Sequence, residues 1–242
     1  MPDISETAAE ATHLLATGDY YAVLRCLNAS TPHRFTALYR REDDRAWNVL
    51  LYDKQNPYTP QFPEVAASET YCSMAIESHS LIVVENSLTD PRLTDHAARA
   101  VVRSYCGAPL ADASGTPFGT LCNFDFAPLA TPDDVAELME LLSRLMGGAT
   151  ATEVLQSDVA RRMENLAGTL SHAASSLHPQ EAWEDVFDEL AEPIRALLTR
   201  MPQPAAASVE ASLAALREEF VAKRAPYPPG PGRVEDGVAG PV

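Results

Sequence analysis

Ser104-Tyr105-Cys106-Gly107-Ala108-Pro109-Leu110 and Phe118-Gly119-Thr120-Leu121-Cys122-Asn123-Phe124-Asp125 stand on either side of Asp112-Ala113-Ser114-Gly115. Two apolar, β-favouring runs separated by aspartate, serine and glycine read as a β-hairpin, with strands over residues 103–110 and 117–125. The register decides which side chains meet. If Asp112 pairs with Thr116 and the ladder runs on unbroken, Cys106 sits opposite Cys122 and both share a face. If Asp112 instead pairs with Gly115, the two cysteines fall on opposite faces, because side chains alternate along a strand.

Working outward, residues 6–28 carry a helical pattern interrupted at Gly18-Asp19, a glycine stop followed by an aspartate that can cap a second helix. Residues 34–40 and 46–52 form a second hairpin around Glu42-Asp43-Asp44. The prolines between Pro57 and Pro63 mark an irregular loop. Thr70 offers an N-cap for a short helix through Ile76. Residues 81–85 read as a short strand, and Asp90-Pro91-Arg92 as a turn into an alanine-rich helix over 95–102. Thr131 as N-cap, Pro132 at the first helical position and Asp133-Asp134 beside the helix dipole open a long helix. Helices at both ends of an antiparallel sheet make an α+β domain.

Residues 149–224 differ in kind. Leu155, Val159, Met163, Leu166, Leu170 and Leu177 recur at mostly helical spacing. Trp183, Phe187, Leu190, Ile194, Leu197 and Met201 repeat the pattern, as do Val209, Leu213, Leu216 and Phe220. Exposed apolar stripes of this size are not tolerated by soluble monomers. The region is therefore expected to form a homodimer through its helices, or to fold back through a break at His178-Pro179. Residues 225–242 are proline- and glycine-rich and are expected to be disordered.

The 242 residues hold 18 Lys plus Arg against 34 Asp plus Glu, a net charge of −16. That field repels phosphate backbones and anionic lipid, and the nearest basic cluster, Arg161-Arg162, is too small to offset it. Nucleic acid and membrane are thus excluded as partners. Apolar runs such as Leu81-Ile82-Val83-Val84 are too short to span a bilayer, and the acidic N-terminus lacks the features of a secretory signal, which points to the cytoplasm. Cys26, Cys72, Cys106 and Cys122 form no Cys-x-x-Cys pair, and the six histidines show no ligand spacing, so no metal and no cofactor is indicated. There is no Gly-x-Gly-x-x-Gly or Walker-type phosphate loop.

The hairpin resembles the C-terminal hairpin of the GAF family of small-molecule sensor domains. Glu69-Thr70-Tyr71-Cys72, Ala75-Ile76, Val83-Val84 and Asp90-Pro91-Arg92-Leu93 are similar to the middle of those GAF domains that sit beside bacterial histidine kinases and cyclic-di-GMP enzymes. The resemblance covers residues 5–148. It implies a central antiparallel sheet with terminal helices on one face and a ligand cavity on the other, and places Tyr71, Cys72, Asp90, Arg92, Tyr105 and Cys106 nearest that cavity. The expected function is a sensor module without a catalytic output domain, binding an unidentified small molecule or a signalling protein and acting through its terminal helices. The alternative is a cysteine-dependent enzyme of the free methionine-R-sulfoxide reductase type. Against it, Ala97-Ala98-Arg99 stands where that family carries Ala-Cys-Asp. The Cys-His pair of bilin-binding relatives is absent, as is the Asn-Lys, Phe, Asp-Glu pattern of cyclic-nucleotide relatives. Leu170-Ser171-His172-Ala173 lacks the acid that follows a phosphoacceptor histidine.

Overall fold

The chain is described by a computed structural model over residues 3–56, 62, 64–149, 151–176 and 183–222. It divides into two compact units, Met1–Arg162 and Met163–Val242. The tail over 225–242, the break at His178-Pro179 and most of the proline loop lie outside the described residues.

In the first unit, α1 (Ile4–Ala16) opens on Asp3, whose carboxylate accepts from the amides of Ser5 and Glu6 at 2.8 and 3.2 Å. The chain then turns at Gly18, where φ is +75°, a backbone region that costs glycine nothing. Asp19 caps α2 (Tyr20–Ala29) by accepting from the Ala22 amide. The strands are β1 (Phe35–Glu42), β2 (Arg45–Asp53), β3 (Val65–Ala66), β4 (Ile82–Val84), β5 (Ser104–Ala111) and β6 (Pro117–Asp125). They form one antiparallel sheet in the order β3-β2-β1-β6-β5-β4. α3 (Cys72–Ser78) lies between β3 and β4 in the chain, and α4 (Asp133–Met146) follows β6.

Three local expectations change. Thr70 does not cap α3: its hydroxyl donates back to the Ala67 carbonyl at 3.1 Å, within a 3-10 turn over Ala67–Glu69, and Tyr71 takes the N-cap position. The alanine-rich stretch forms only a 3-10 turn, Ala97–Ala100, opened by the His96 ring accepting from the Ala98 amide. So short a segment gains too few hydrogen bonds to repay helix nucleation, whatever its propensity. α4 begins one residue later than its capping signal suggests, with Pro132 rather than Thr131 at the N-cap.

The central hairpin holds the Asp112–Thr116 register only at its tip, and the rest of its ladder follows neither expected register. At its tip the Asp112 amide donates to the Thr116 carbonyl, and the Asp112 carboxylate accepts from the Ser114 and Thr116 amides. Between Leu110 and Ala111 the ladder slips by one residue. Below that bulge Cys106 pairs with Asn123 and Gly107 with Cys122, so the two cysteines face opposite sides of the sheet.

One side of the sheet carries α1, α2 and α4. Leu24, Leu27, Leu121, Met139 and Leu142 are fully buried there or in the helices against it, and burying each side chain of this size stabilises by about 1.5–3 kcal/mol. A buried polar chain crosses this apolar layer. Asn28 donates through Nδ2 to the Thr36 hydroxyl at 2.8 Å, Thr36 donates to Asn123 Oδ1 at 2.6 Å, and Asn123 Nδ2 approaches Met139 Sδ at 3.4 Å. It ties α2, β1, β6 and α4 to one alignment.

The opening turns of α5 (Ala151–Ser176) belong to the same unit. Ser157 donates to the Gly18 carbonyl at 2.8 Å, and the Arg161 guanidinium lies 3.7 Å over the Tyr21 ring. Arg161 and Arg162 both pair with the buried Asp158, at 2.5 and 2.8 Å. One of the two positive charges of the basic pair is thus offset within its own helix. In the second unit, α6 (Trp183–Leu198) and α7 (Gln203–Ala222) form an antiparallel hairpin. Phe187 meets Phe220 at 6.4 Å between ring centroids, and Glu184 accepts from Arg217 at 2.9 Å. Among the described residues no helix is long and apolar enough to cross a membrane.

Candidate functional site

The other face of the sheet is built differently. Strand alternation turns Phe35, Ala37 and Tyr39 of β1, Tyr105 and Gly107 of β5, and Cys122 and Phe124 of β6 toward it, and α3 covers it with Tyr71, Cys72 and Ala75. Phe35 stacks on Phe124 at 4.9 Å and 16° between planes, closing one end. At the other end a cavity of about 80 Å3 remains, lined by Tyr39, Glu69, Thr70, Tyr71, Cys72, Ala98, Val102, Tyr105, Cys122 and Phe124. One water needs roughly 10–15 Å3 of such space, so the cavity admits a molecule of a few heavy atoms.

Three phenols and two thiols dominate the walls. Tyr71 donates through its hydroxyl to the Val102 carbonyl at 3.1 Å, fixing the loop before β5, and its ring meets Tyr105 edge-on at 5.6 Å. The Tyr105 hydroxyl points at Cys72 Sγ from 3.7 Å. Gly107 permits this, since a β-carbon there would collide with the Tyr105 hydroxyl. Cys72 and Cys122 are both free thiols and line the same cavity wall. The neighbouring Cys122, opposed by burial and helped by the Thr120 and Tyr105 hydroxyls, holds the Cys72 thiol below its ordinary value. Burial, followed by the neighbouring Cys72, pushes Cys122 well up. Burial likewise raises Tyr39 and Tyr105.

Of the six residues expected near the ligand, Tyr71, Cys72 and Tyr105 line the cavity. Asp90 and Arg92 lie outside its lining. Asp90 caps a 3-10 turn over Pro91–Leu93 by accepting from the Arg92 amide, and the Arg92 guanidinium binds Asp90 and the Val83 carbonyl. Arg92 holds the Asp90 carboxyl below the usual range, and the pair serves its own turn. Cys106 faces the helices, where burial pushes its thiol up to about 12. Tyr39 and Cys122 complete the site without having been singled out for it. Their shared face follows once Ala37 is known to pair with Cys122 and Tyr39 with Thr120. Among the described residues no cluster of three or more His, Cys, Asp or Glu could hold a metal.

A six-stranded antiparallel sheet with helices on one face and a cavity on the other is what the hairpin motif implied. The fold is GAF-like. No protein-family model and no curated protein matches the sequence. Solved structures similar to the chain include the free methionine-R-sulfoxide reductase of Neisseria meningitidis in complex with its substrate, at 16% identity and TM-score 0.49, over 61% of this chain and 90% of that one. Another is the GAF domain of an Acinetobacter phosphoenolpyruvate-protein phosphotransferase, at 11% and 0.48, over 74% and 99%. A third is the corresponding GAF domain from Coxiella burnetii, at 12% and 0.47, over 60% and 90%.

Proposed function

We propose that this chain is a GAF-type sensor module, which takes a small, largely uncharged molecule into the Cys72–Tyr105 cavity and transmits occupancy through its terminal helices to a signalling protein partner. The cavity itself carries the reading. Its walls are mostly aromatic and apolar, with a few hydroxyl and thiol groups to orient a ligand, the usual composition of a small-molecule site. The Asn28–Thr36–Asn123 chain links the cavity's strands to α2 and α4, giving a displacement of β1 or β6 a route to the helices. Native mass spectrometry of full-length protein isolated from its own cytoplasm tests this. A co-purifying small molecule whose occupancy falls in Gly107→Ala, which displaces Tyr105, is the expected result. Unliganded protein, with no thermal shift from any compound in a small-metabolite panel, would sink the reading.

The paired thiols favour a second reading, reduction of free methionine-R-sulfoxide. It is the weaker one. An amino-acid substrate brings an ammonium and a carboxylate, while among the described lining residues Glu69 is the only carboxylate and no Lys or Arg is present. Turnover of the sulfoxide with a dithiol reductant, abolished by Cys72→Ser, would establish it. We also propose a homodimer through the helices as the assembled form. Because the apolar stripes of α6 and α7 meet within one chain, the surfaces left for it lie elsewhere on these helices. Light scattering on the full chain decides the matter, with a monomer mass at tens of micromolar ruling the dimer out.

A further inference from the structure

We infer that Cys72 and Cys122 form a peroxide-reactive dithiol, oxidised to a reversible disulfide that bridges α3 to β6 across the cavity wall. Three features of the cavity converge on this. Cys72 and Cys122 line the same space and belong to the same cluster of buried side chains, though they come from elements 50 residues apart in the chain. The Tyr105 hydroxyl donates toward Cys72 Sγ, and Gly107 leaves that hydroxyl room to do so. The cavity gives a molecule the size of hydrogen peroxide a place beside the sulfur.

The thiol held below its ordinary value is the one that carries the Tyr105 donor, so Cys72 is the attacking sulfur. Its thiolate attacks the distal oxygen of a hydroperoxide. An S–O bond forms, the O–O bond breaks, and the departing alkoxide, or hydroxide from hydrogen peroxide, takes up a proton. Cys72 is now a sulfenic acid. Cys122 then attacks that sulfur: the S–S bond forms, the S–O bond breaks, and the leaving hydroxide takes the Cys122 proton and departs as water. Two thiols and one hydroperoxide give one disulfide, one alcohol or water from the peroxide, and one further water. Neither remaining cysteine can substitute. Cys106 lies on the opposite face with its thiol pushed up to about 12, and Cys26, on α2, is pushed up to about 11 by burial and by Glu10.

This inference rests on the reading of the cavity as open to small molecules, but not on the identity of any ligand. The test uses full-length protein and hydrogen peroxide as the probe, followed by denaturing alkylation and peptide mapping. The expected result is a peptide pair linked through Cys72 and Cys122, cleaved by dithiothreitol, with Cys26 and Cys106 alkylated. Cys122→Ser should abolish the link and leave Cys72 trapped as a sulfenic acid that captures dimedone, while Cys72→Ser should give neither product. Alkylation of all four cysteines after peroxide, or a link that involves Cys106 or Cys26 in equal yield, overturns the proposal. The map of the unmutated protein decides by itself should either variant fail to fold. Failure of the ligand reading leaves this map unchanged, and a negative map leaves the ligand panel unchanged, so the two are told apart.

Discussion

The two faces of one sheet treat their polar groups in opposite ways. Toward the helices, Asn28, Thr36 and Asn123 are fully buried and hydrogen-bonded in series, with Leu24, Leu121 and Met139 packed close around them. Toward α3, phenols and thiols border a space that side chains do not fill. Cys106 and Cys122, on neighbouring strands, show the contrast within one residue type. Burial raises both, but Cys106 has only Thr131 to oppose it, whereas Cys122 stands beside Cys72 and lowers that equally buried thiol. Burial alone therefore does not make a thiol inert: what lies beside the sulfur decides, and a one-residue slip of register chooses the neighbour.

The largest expected effect tests that contrast directly. In native protein near neutral pH, a small alkylating reagent should modify Cys72 faster than Cys106 by roughly a hundredfold or more, because the thiolate is the reactive species. Site-resolved mass spectrometry after timed quenching measures both rates in one sample. Equal rates would mean that the two faces do not differ in the way described.

His33 extends the helix-side network, since the Asn28 amide donates to its carbonyl at 3.2 Å and its ring Nδ1 bonds the Thr31 hydroxyl at 2.7 Å. Burial lowers it from 6.5 to about 4, with Asp125 opposing the shift and Lys54 adding to it. The folded state thus holds His33 neutral where the unfolded chain takes up a proton. Its contribution is fully present above pH 6.5 and is lost as pH falls through about 4, up to about 3 kcal/mol in all. Urea denaturation at several pH values should show stability falling more steeply with acid in the unmutated protein than in His33→Gln. Parallel slopes would remove His33 from the network.

How far these features were legible in the sequence differs between the faces. The strand 117–125 is bounded as the turn and apolar pattern indicated, because aspartate, serine and glycine at the tip leave little freedom. The slip at Leu110 was not legible. It arises from how the Asp112 carboxylate gathers the turn amides, and composition does not reveal how many residues such a tip consumes. That slip sends Cys106 to the helices and leaves Cys122 for the cavity. Tyr71, Cys72 and Tyr105 could be placed by motif resemblance, whereas Tyr39 and Cys122 needed the register between β1 and β6. Asp90 and Arg92 carry the right motif and serve their own turn instead.

A smaller effect comes from cutting the buried polar chain. Asn123→Leu keeps the branched outline but leaves the Thr36 hydroxyl without its acceptor, and a buried group deprived of its partner costs about 1–3 kcal/mol. We expect a loss near 2 kcal/mol by chemical denaturation. A neutral substitution would mean that Thr36 finds another acceptor and that the helix side is less tightly determined than its hydrogen bonds suggest.

The smallest expected change in stability lies on the cavity side. Cys122→Ala removes one sulfur from a wall that already borders open space, so little close packing is lost, and the cost should be about 1 kcal/mol or less. Its chemical consequence is larger than its energetic one. Without the Cys122 thiol, Cys72 loses the neighbour that chiefly lowers it, while the burial that raises it persists. Alkylation of Cys72 should slow in this variant even though the fold is intact, with Tyr105 left as the remaining donor shown at the sulfur. Should Cys122→Ala instead destabilise the protein as much as Asn123→Leu, the thiol is a packing element and the faces are alike. Should it leave the Cys72 rate untouched, the acidity of Cys72 comes from the hydroxyls around it, and the Tyr105→Phe variant becomes the one that slows the reaction.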